Sequence, residues 1–249
     1  MSGHSKWSTI KRKKEAADNK RGALFTKLAK ELQLAARDGG PDPDTNFKLR
    51  LAVQRAKAAN MPNDNISRAI AKATGGGDSD QLIEVSYEGY GPGGAAILIT
   101  AVTDNRNRTV AAIRHEFTRA GGNLGENGSV AWQFESRGAL SVSVDGHDED
   151  EIALAAIEAG AEDVETSGDS VEVQTAPGDL EPVRQALAEA GYHVEHADLS
   201  MVPTTPISLE KGPAAQTLRL LDGLEELEDV QRVYSNADFD EELLAQYAG

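Results

Sequence analysis

The sequence predicts an α+β protein of three domains, an N-terminal helical bundle followed by a discontinuous α/β domain with a ferredoxin-like α/β domain inserted in it. Three observations lead there. Apolar residues recur at helical spacing through the first third of the chain, and several short runs after it alternate with period two. The order of helix and strand signals in residues 137–203 is β-α-β-β-α-β. The domain limits that follow are residues 1–77, residues 78–136 together with 204–249, and residues 137–203.

The first helix is read over 16–37, where Leu24, Leu28 and Leu32 recur every fourth position beside Phe25 and Gly39-Gly40 stops the pattern. Asp44 or Thr45 is expected to cap a second helix with Phe47, Leu51 and Val53 on its apolar side, ended by Asn60-Met61-Pro62. A third starts at Asn63 or Asp64, carries Ile66 and Ile70 at i,i+4, and closes at Gly75-Gly76-Gly77. Three short helices bury little between them, so this head is expected to be loosely held against the rest.

After a polar linker, Ile83, Val85 and Tyr87 alternate with Glu84, Ser86 and Glu88 as in a strand with one wet face. Gly91-Pro92-Gly93-Gly94 reads as a tight turn. Ala95 to Val102 is nearly all apolar, as in a strand covered on both sides. A helix follows, with Asp104 or Asn107 as its cap, Val110, Ile113 and Phe117 inward, and Gly121-Gly122 at its end.

In the inserted part, Leu140, Val142 and Val144 form the first strand and Asp148 or Asp150 opens a helix ended by Gly160. Strands centred on Val164 and on Val171/Val173 come next, then a helix from Asp179 to Gly191 and a strand from about His193 to Val202. A last helix with Leu220, Leu224 and Leu227 and a strand around Val230–Tyr234 have no local partners. They are expected to complete the strand–strand–helix that precedes the insertion.

The chain carries a formal charge of −16, which alone argues against phosphate binding. The total conceals a segregation. Residues 1–75 hold 16 Lys+Arg against 7 Asp+Glu, whereas the remaining 174 hold 9 against 34. A basic head on an acidic body predicts an anionic partner at the head. The densest cluster is Lys11-Arg12-Lys13-Lys14, flanked by Lys6, Trp7, Lys20 and Arg21 and continued by Lys27 and Lys30 on the polar side of the first helix, where Arg37 also falls. Such a track neutralises phosphates without reading sequence, and Trp7 offers a ring on which an unpaired base can stack. Arg106 and Arg108 form a second candidate site, for which helix capping and ion pairing are an equally good account.

Other chemistry is weakly represented. There is no cysteine, hence no disulfide or thiolate site, and a reducing compartment, the cytoplasm, is expected. No apolar run is long enough for a membrane span. His193 and His196 fall on opposite faces of a strand, and Asp145 to Glu151 lacks the order of a calcium loop. Gly91-Pro92-Gly93-Gly94 lacks the Lys-Ser/Thr ending of a phosphate loop. No catalytic residue, metal, cofactor or small-molecule substrate is therefore expected.

Gly3-His4-Ser5-Lys6-Trp7, Lys20-Arg21, Phe25-Thr26-Lys27-Leu28, Asn60-Met61-Pro62, Tyr87 through Gly94, Thr103 through Thr109, Asp229-Val230-Gln231 and Val233-Tyr234-Ser235-Asn236 together resemble the YebC/PmpR family along essentially the whole chain. Glu228 stands where that family tends to have Asp, and Ala237 replaces a usual aromatic. The resemblance implies a helical first domain and two ferredoxin-like parts. It also implies a non-enzymatic regulator of gene expression, either a DNA-binding transcriptional regulator or a ribosome-associated translation factor that binds rRNA; the translation factors of the family include the mitochondrial translational activators.

Overall fold

Helix α1 spans Arg21–Gly39; Leu28 and Leu32 of the predicted stripe are buried together with Ala35 and Ala36, while Leu24 and Phe25 are half-buried at its start. The computed structural model describes residues 21–75, 82–167, 169–240 and 243–244. Helices α2 (Phe47–Ala58) and α3 (Asn63–Thr74) pack on α1 through Leu49, Ala52, Ala56, Ile66, Ala69 and Ala73, with Met61 between them. The seam of α2 is thus Leu49 with two alanines. Phe47 and Val53, expected on its apolar side, are half-buried.

Asn46, rather than Asp44 or Thr45, caps α2. Its Oδ1 accepts from the Leu49 N–H at 3.1 Å while its Nδ2 donates to the carbonyls of Ala35 and Gly40, both at 2.8 Å. One buried side chain therefore closes the end of α1 and starts α2. The approach is so close that a Cβ on Gly39 would meet Asn46 Nδ2 at 2.6 Å. Asn46→Ala is expected to cost about 2 kcal/mol, the loss of a cap plus buried groups left unpaired, measurable by urea unfolding.

The second layer begins with the hairpin β1 (Ile83–Tyr90) and β2 (Ala96–Thr103), paired from Ile83↔Thr103 to Tyr90↔Ala96. Its turn is the glycine run, with Gly93 and Gly94 at φ +74° and +83°. Helix α4 (Arg106–Ala120) leads to the short β3 (Asn123–Leu124), which pairs with β1. The chain returns to this layer at Pro203 through the short β8 (Ile207–Ser208), helix α7 (Lys211–Glu226), β9 (Val230–Ser235) and the short β10 (Ala237–Asp238). The sheet order is β3-β1-β2-β9, antiparallel throughout, and β8 pairs with β10 separately. Its layers are those of a ferredoxin-like unit, but its elements follow a different chain order, β-β-α-β and then α-β. Ile97, Ile99, Ile113, Phe117, Leu218, Leu221 and Leu224 form the core between sheet and helices. Thr204 N–H donates to Gln133 O at 2.8 Å, so the two ends of the layer where the insertion leaves and returns are joined.

Glu88 departs from the expected wet face of β1, being only 5% exposed. The loop after β3 folds over it and supplies the backbone N–H groups of Gly128, Val130 and Ala131 at 2.7, 2.7 and 2.8 Å. Burial pushes its pKa up, but the three N–H donors outweigh that and hold the carboxyl below the ordinary range. Glu88→Gln is expected to lower stability by roughly 1–3 kcal/mol in thermal unfolding at neutral pH, because an amide N–H₂ then faces backbone donors. A lowered folded pKa means that the wild-type contribution is complete above the unfolded value and disappears as pH falls through the folded one.

Residues 134–202 form a compact unit of their own. It contains β4 (Phe134–Ser143), α5 (Glu149–Glu158), β5 (Asp163–Ser167), β6 (Ser170–Thr175), α6 (Leu180–Glu189) and β7 (Val194–Pro203), with sheet order β5-β6-β4-β7. This is the ferredoxin-like order. Asp148 caps α5 by accepting from Asp150 N–H at 2.9 Å, and Leu140, Val142, Ile152, Val171, Leu180, Val183 and Leu187 are buried.

Candidate nucleic-acid interface

Of the predicted basic track, Lys6, Trp7, Lys11, Arg12, Lys13, Lys14 and Lys20 lie outside the described residues. Arg21 opens α1. The other two members are engaged within the protein. Lys27 donates to the carbonyl of Glu225 in the last turn of α7, a cation at the negative end of a helix. Lys30 Nζ donates to Asp229 Oδ1 at 2.9 Å and lies 3.4 Å from Glu228. Two turns further on the same side of α1, Arg37 Nη1 donates to Leu82 O.

Asp229 is the centre of this contact. Besides Lys30, it accepts from Arg108 Nη2 at 2.9 Å and Nε at 3.2 Å, and from the Thr109 hydroxyl at 2.8 Å, while its own carbonyl accepts from Val102 N–H at 2.8 Å. Burial raises its pKa, yet Lys30, Arg108 and Thr109 more than offset this and hold it below the ordinary carboxylate range. Three separate stretches of chain, α1, the start of α4 and the α7–β9 corner, are thereby fastened at one carboxylate. The expectation of a loosely held head does not describe this arrangement: the three helices and the β1-β2-β9 layer belong to one compact unit.

The second candidate site divides. Arg108 is committed to Asp229 and to Asp104, at 2.8 Å, whereas Arg106 is exposed and forms no hydrogen bond or ion pair among the described residues. The cap of α4 is Asn105, whose side chain accepts from Arg108 N–H at 3.1 Å. Asp104 and Asn107 had been the candidates.

Among the described side chains of the helical part, the exposed cations are Lys48, Lys57, Arg68 and Lys72. None belongs to the predicted track. The available signal was the placement of Arg68 and Lys72 four apart on α3, on the stripe next to the buried Ile66, Ala69 and Ala73. Among the described residues no group of His, Asp and Glu is placed to hold a metal ion. No described helix is long and apolar enough to cross a membrane.

Comparison with known proteins places these features. Residues 5–76 match the model for the TACO1/YebC protein N-terminal domain, and residues 82–237 match that for the TACO1/YebC second and third domain. The chain belongs to the TACO1/YebC family. A relative from Rubrobacter xylanophilus is 54% identical over the whole of both chains, and one from Thermomicrobium roseum is 53% identical over 98% of each. Both carry the name probable transcriptional regulatory protein. Among solved structures, a conserved hypothetical protein from Aquifex aeolicus superposes with a TM-score of 0.84 at 43% identity, over 90% of this chain and 93% of that one.

Within this TACO1/YebC chain, three of the motifs behind the resemblance have structural tasks. Tyr87 to Gly94 carries the Glu88 anchor and the hairpin turn, and Thr103 to Thr109 carries the α4 cap and the Asp229 ligands. In the last, buried Asn236 accepts from Ala96 N–H at 2.8 Å and donates to Gln133 Oε1 at 3.0 Å.

Proposed function

We propose that the chain is a non-enzymatic, nucleic-acid-binding regulator of gene expression, acting as a DNA-binding transcriptional regulator. The observation that carries this reading is the segregation of charge, 16 basic against 7 acidic residues in 1–75 and 9 against 34 in the rest. Cations concentrated in one region of a protein that is acidic as a whole are the electrostatic footprint of a polyanionic partner. The grip is assigned to Lys6, Lys11, Arg12, Lys13, Lys14, Lys20 and Arg21, with Trp7 as a stacking ring and the exposed cations of α2 and α3 beside them. Lys27 and Lys30 contribute by fastening α1 to the body. The relatives' name supports regulation of transcription.

A second reading, a translation factor binding ribosomal RNA through the same residues, is favoured by the acidic remainder, which confines contact to a narrow zone. Titrating the full chain with promoter-length duplex DNA and with purified ribosomes over graded salt tests both. Retardation of DNA with a steep salt dependence is expected. Sedimentation with ribosomes and no retardation of DNA would select the second reading, and binding to neither would overturn the proposal.

A further inference from the structure

Helices α1 and α3 leave between them a cleft of about 630 Å³, within the range of roughly 300–1,000 Å³ usual for small-ligand sites. Two facing stripes line it. Thr26, Ala29 and Gln33 lie one turn apart on α1, and Asn65, Arg68 and Lys72 do so on α3. Phe25 and Met61 add apolar wall.

Gln33 is the unusual member. Its side chain sits in the wall of the cleft, the residue is only 8% exposed, and its carboxamide forms no hydrogen bond among the described residues. Its amide atoms are not among the side-chain atoms buried without a partner, so they open into the cleft and meet its water. A ligand that enters the cleft can replace that water. The charge of the lining restricts what that ligand is. Asp104 at the edge is already bonded to Arg108, and Lys30 to Asp229, whereas Arg68 is exposed and makes no ion pair among the described residues. The cleft therefore combines a donor–acceptor amide inside, an aromatic and a thioether wall, and a guanidinium at the mouth.

We infer that the cleft between α1 and α3 receives one unpaired nucleobase of a bound strand, with Gln33 pairing to the base edge and Arg68 meeting the adjoining phosphate. The carboxamide presents a donor beside an acceptor, which matches the paired donor and acceptor on a base edge. Phe25 and Met61 cover its faces, and the guanidinium is the group suited to a phosphate. This inference rests on the nucleic-acid reading above and adds to it a preference for unpaired over paired strands.

The test uses the full chain and fluorescence anisotropy with labelled 12-nucleotide single strands of DNA and of RNA, and with the corresponding blunt duplexes. Gln33→Leu is expected to weaken single-strand binding about tenfold, the loss of contacts to one base, and to leave duplex binding within twofold. Its unfolding temperature should stay close to that of the wild type, since the amide has no hydrogen-bond partner among the described residues to lose. Arg68→Ala, at an exposed position, is expected to weaken single-strand binding roughly threefold through one lost phosphate contact. Wild-type affinity of both variants for single strands would overturn the inference and leave the nucleic-acid reading standing. So would an equal loss on single strands and duplexes. Failure of the wild type to bind any of the four probes would overturn that reading itself, and the inference with it.

Discussion

Asp229→Ala is expected to lower the unfolding free energy by about 3 kcal/mol, the lower end of the cost of breaking a buried ion pair. The choice of the lower end follows from its partners. The Arg108 side chain is 53% exposed and keeps Asp104, so water and a second carboxylate compensate its loss. The Lys30 side chain is 14% exposed and keeps only the 3.4 Å contact to the solvent-facing Glu228. Most of the penalty is therefore an ammonium left half-desolvated at the junction of α1 with the α7–β9 corner. Two consequences can be measured. The double variant Asp229→Ala/Lys30→Ala should recover a substantial part of the loss, because the stranded charge is gone, whereas Asp229→Ala/Arg108→Ala should recover little. In the wild type the contribution of Asp229 is complete above its unfolded pKa, since its folded pKa is the lower of the two, and is lost as pH falls through the folded value. Urea unfolding of wild type and Asp229→Ala should thus converge toward acid pH. A constant gap between them would show that the carboxylate does not act through its charge.

Much of this fold was legible because each element declares its period locally. The Leu24-Leu28-Leu32 stripe, the alternation from Ile83 to Tyr87 and the unbroken apolar run of β2 each determine a buried face without reference to distant residues. That the last helix and strand complete the layer begun before the insertion, where β9 pairs with β2, was legible for a different reason: each of the two pieces lacked partners of its own. The caps were read less well. Asp44, Thr45 and Asn46 all have capping side chains, as do Asp104, Asn105 and Asn107, and only the packed structure decides which oxygen reaches the N–H two or three residues on. Least legible was the fate of Lys27 and Lys30. A lysine on the polar side of an amphipathic helix has the same spacing whether it meets water, a phosphate or a carboxylate 199 positions away, as Lys30 meets Asp229. Glu88 was misread on the same principle, since alternation marks it as polar but cannot foresee that a loop will return to enclose it. Sequence pattern thus identifies which groups are charged, and the tertiary fold decides which of those charges remain available.

That distinction bears directly on the largest expected effect. Replacing Lys11, Arg12, Lys13 and Lys14 together with alanine is expected to weaken duplex binding on the order of 100-fold at low salt. The slope of log affinity against log salt should fall by about 3 to 4, since each phosphate contact releases nearly one counterion. The variant removes four of the 16 basic residues in 1–75, and its unfolding midpoint should match the wild type. Lys30→Ala provides the opposite signature. It removes one of the two cations paired with Asp229, so it should lower the unfolding midpoint while changing the salt slope by less than one, because an ammonium 2.9 Å from a carboxylate is not the one that displaces a counterion from nucleic acid. Two lysine-containing stretches of one basic head would then separate by experiment, one acting on affinity and the other on stability. A quadruple variant that kept the wild-type slope would move the phosphate contacts onto the exposed cations of α2 and α3, where Lys48, Lys57, Arg68 and Lys72 become the residues to replace next.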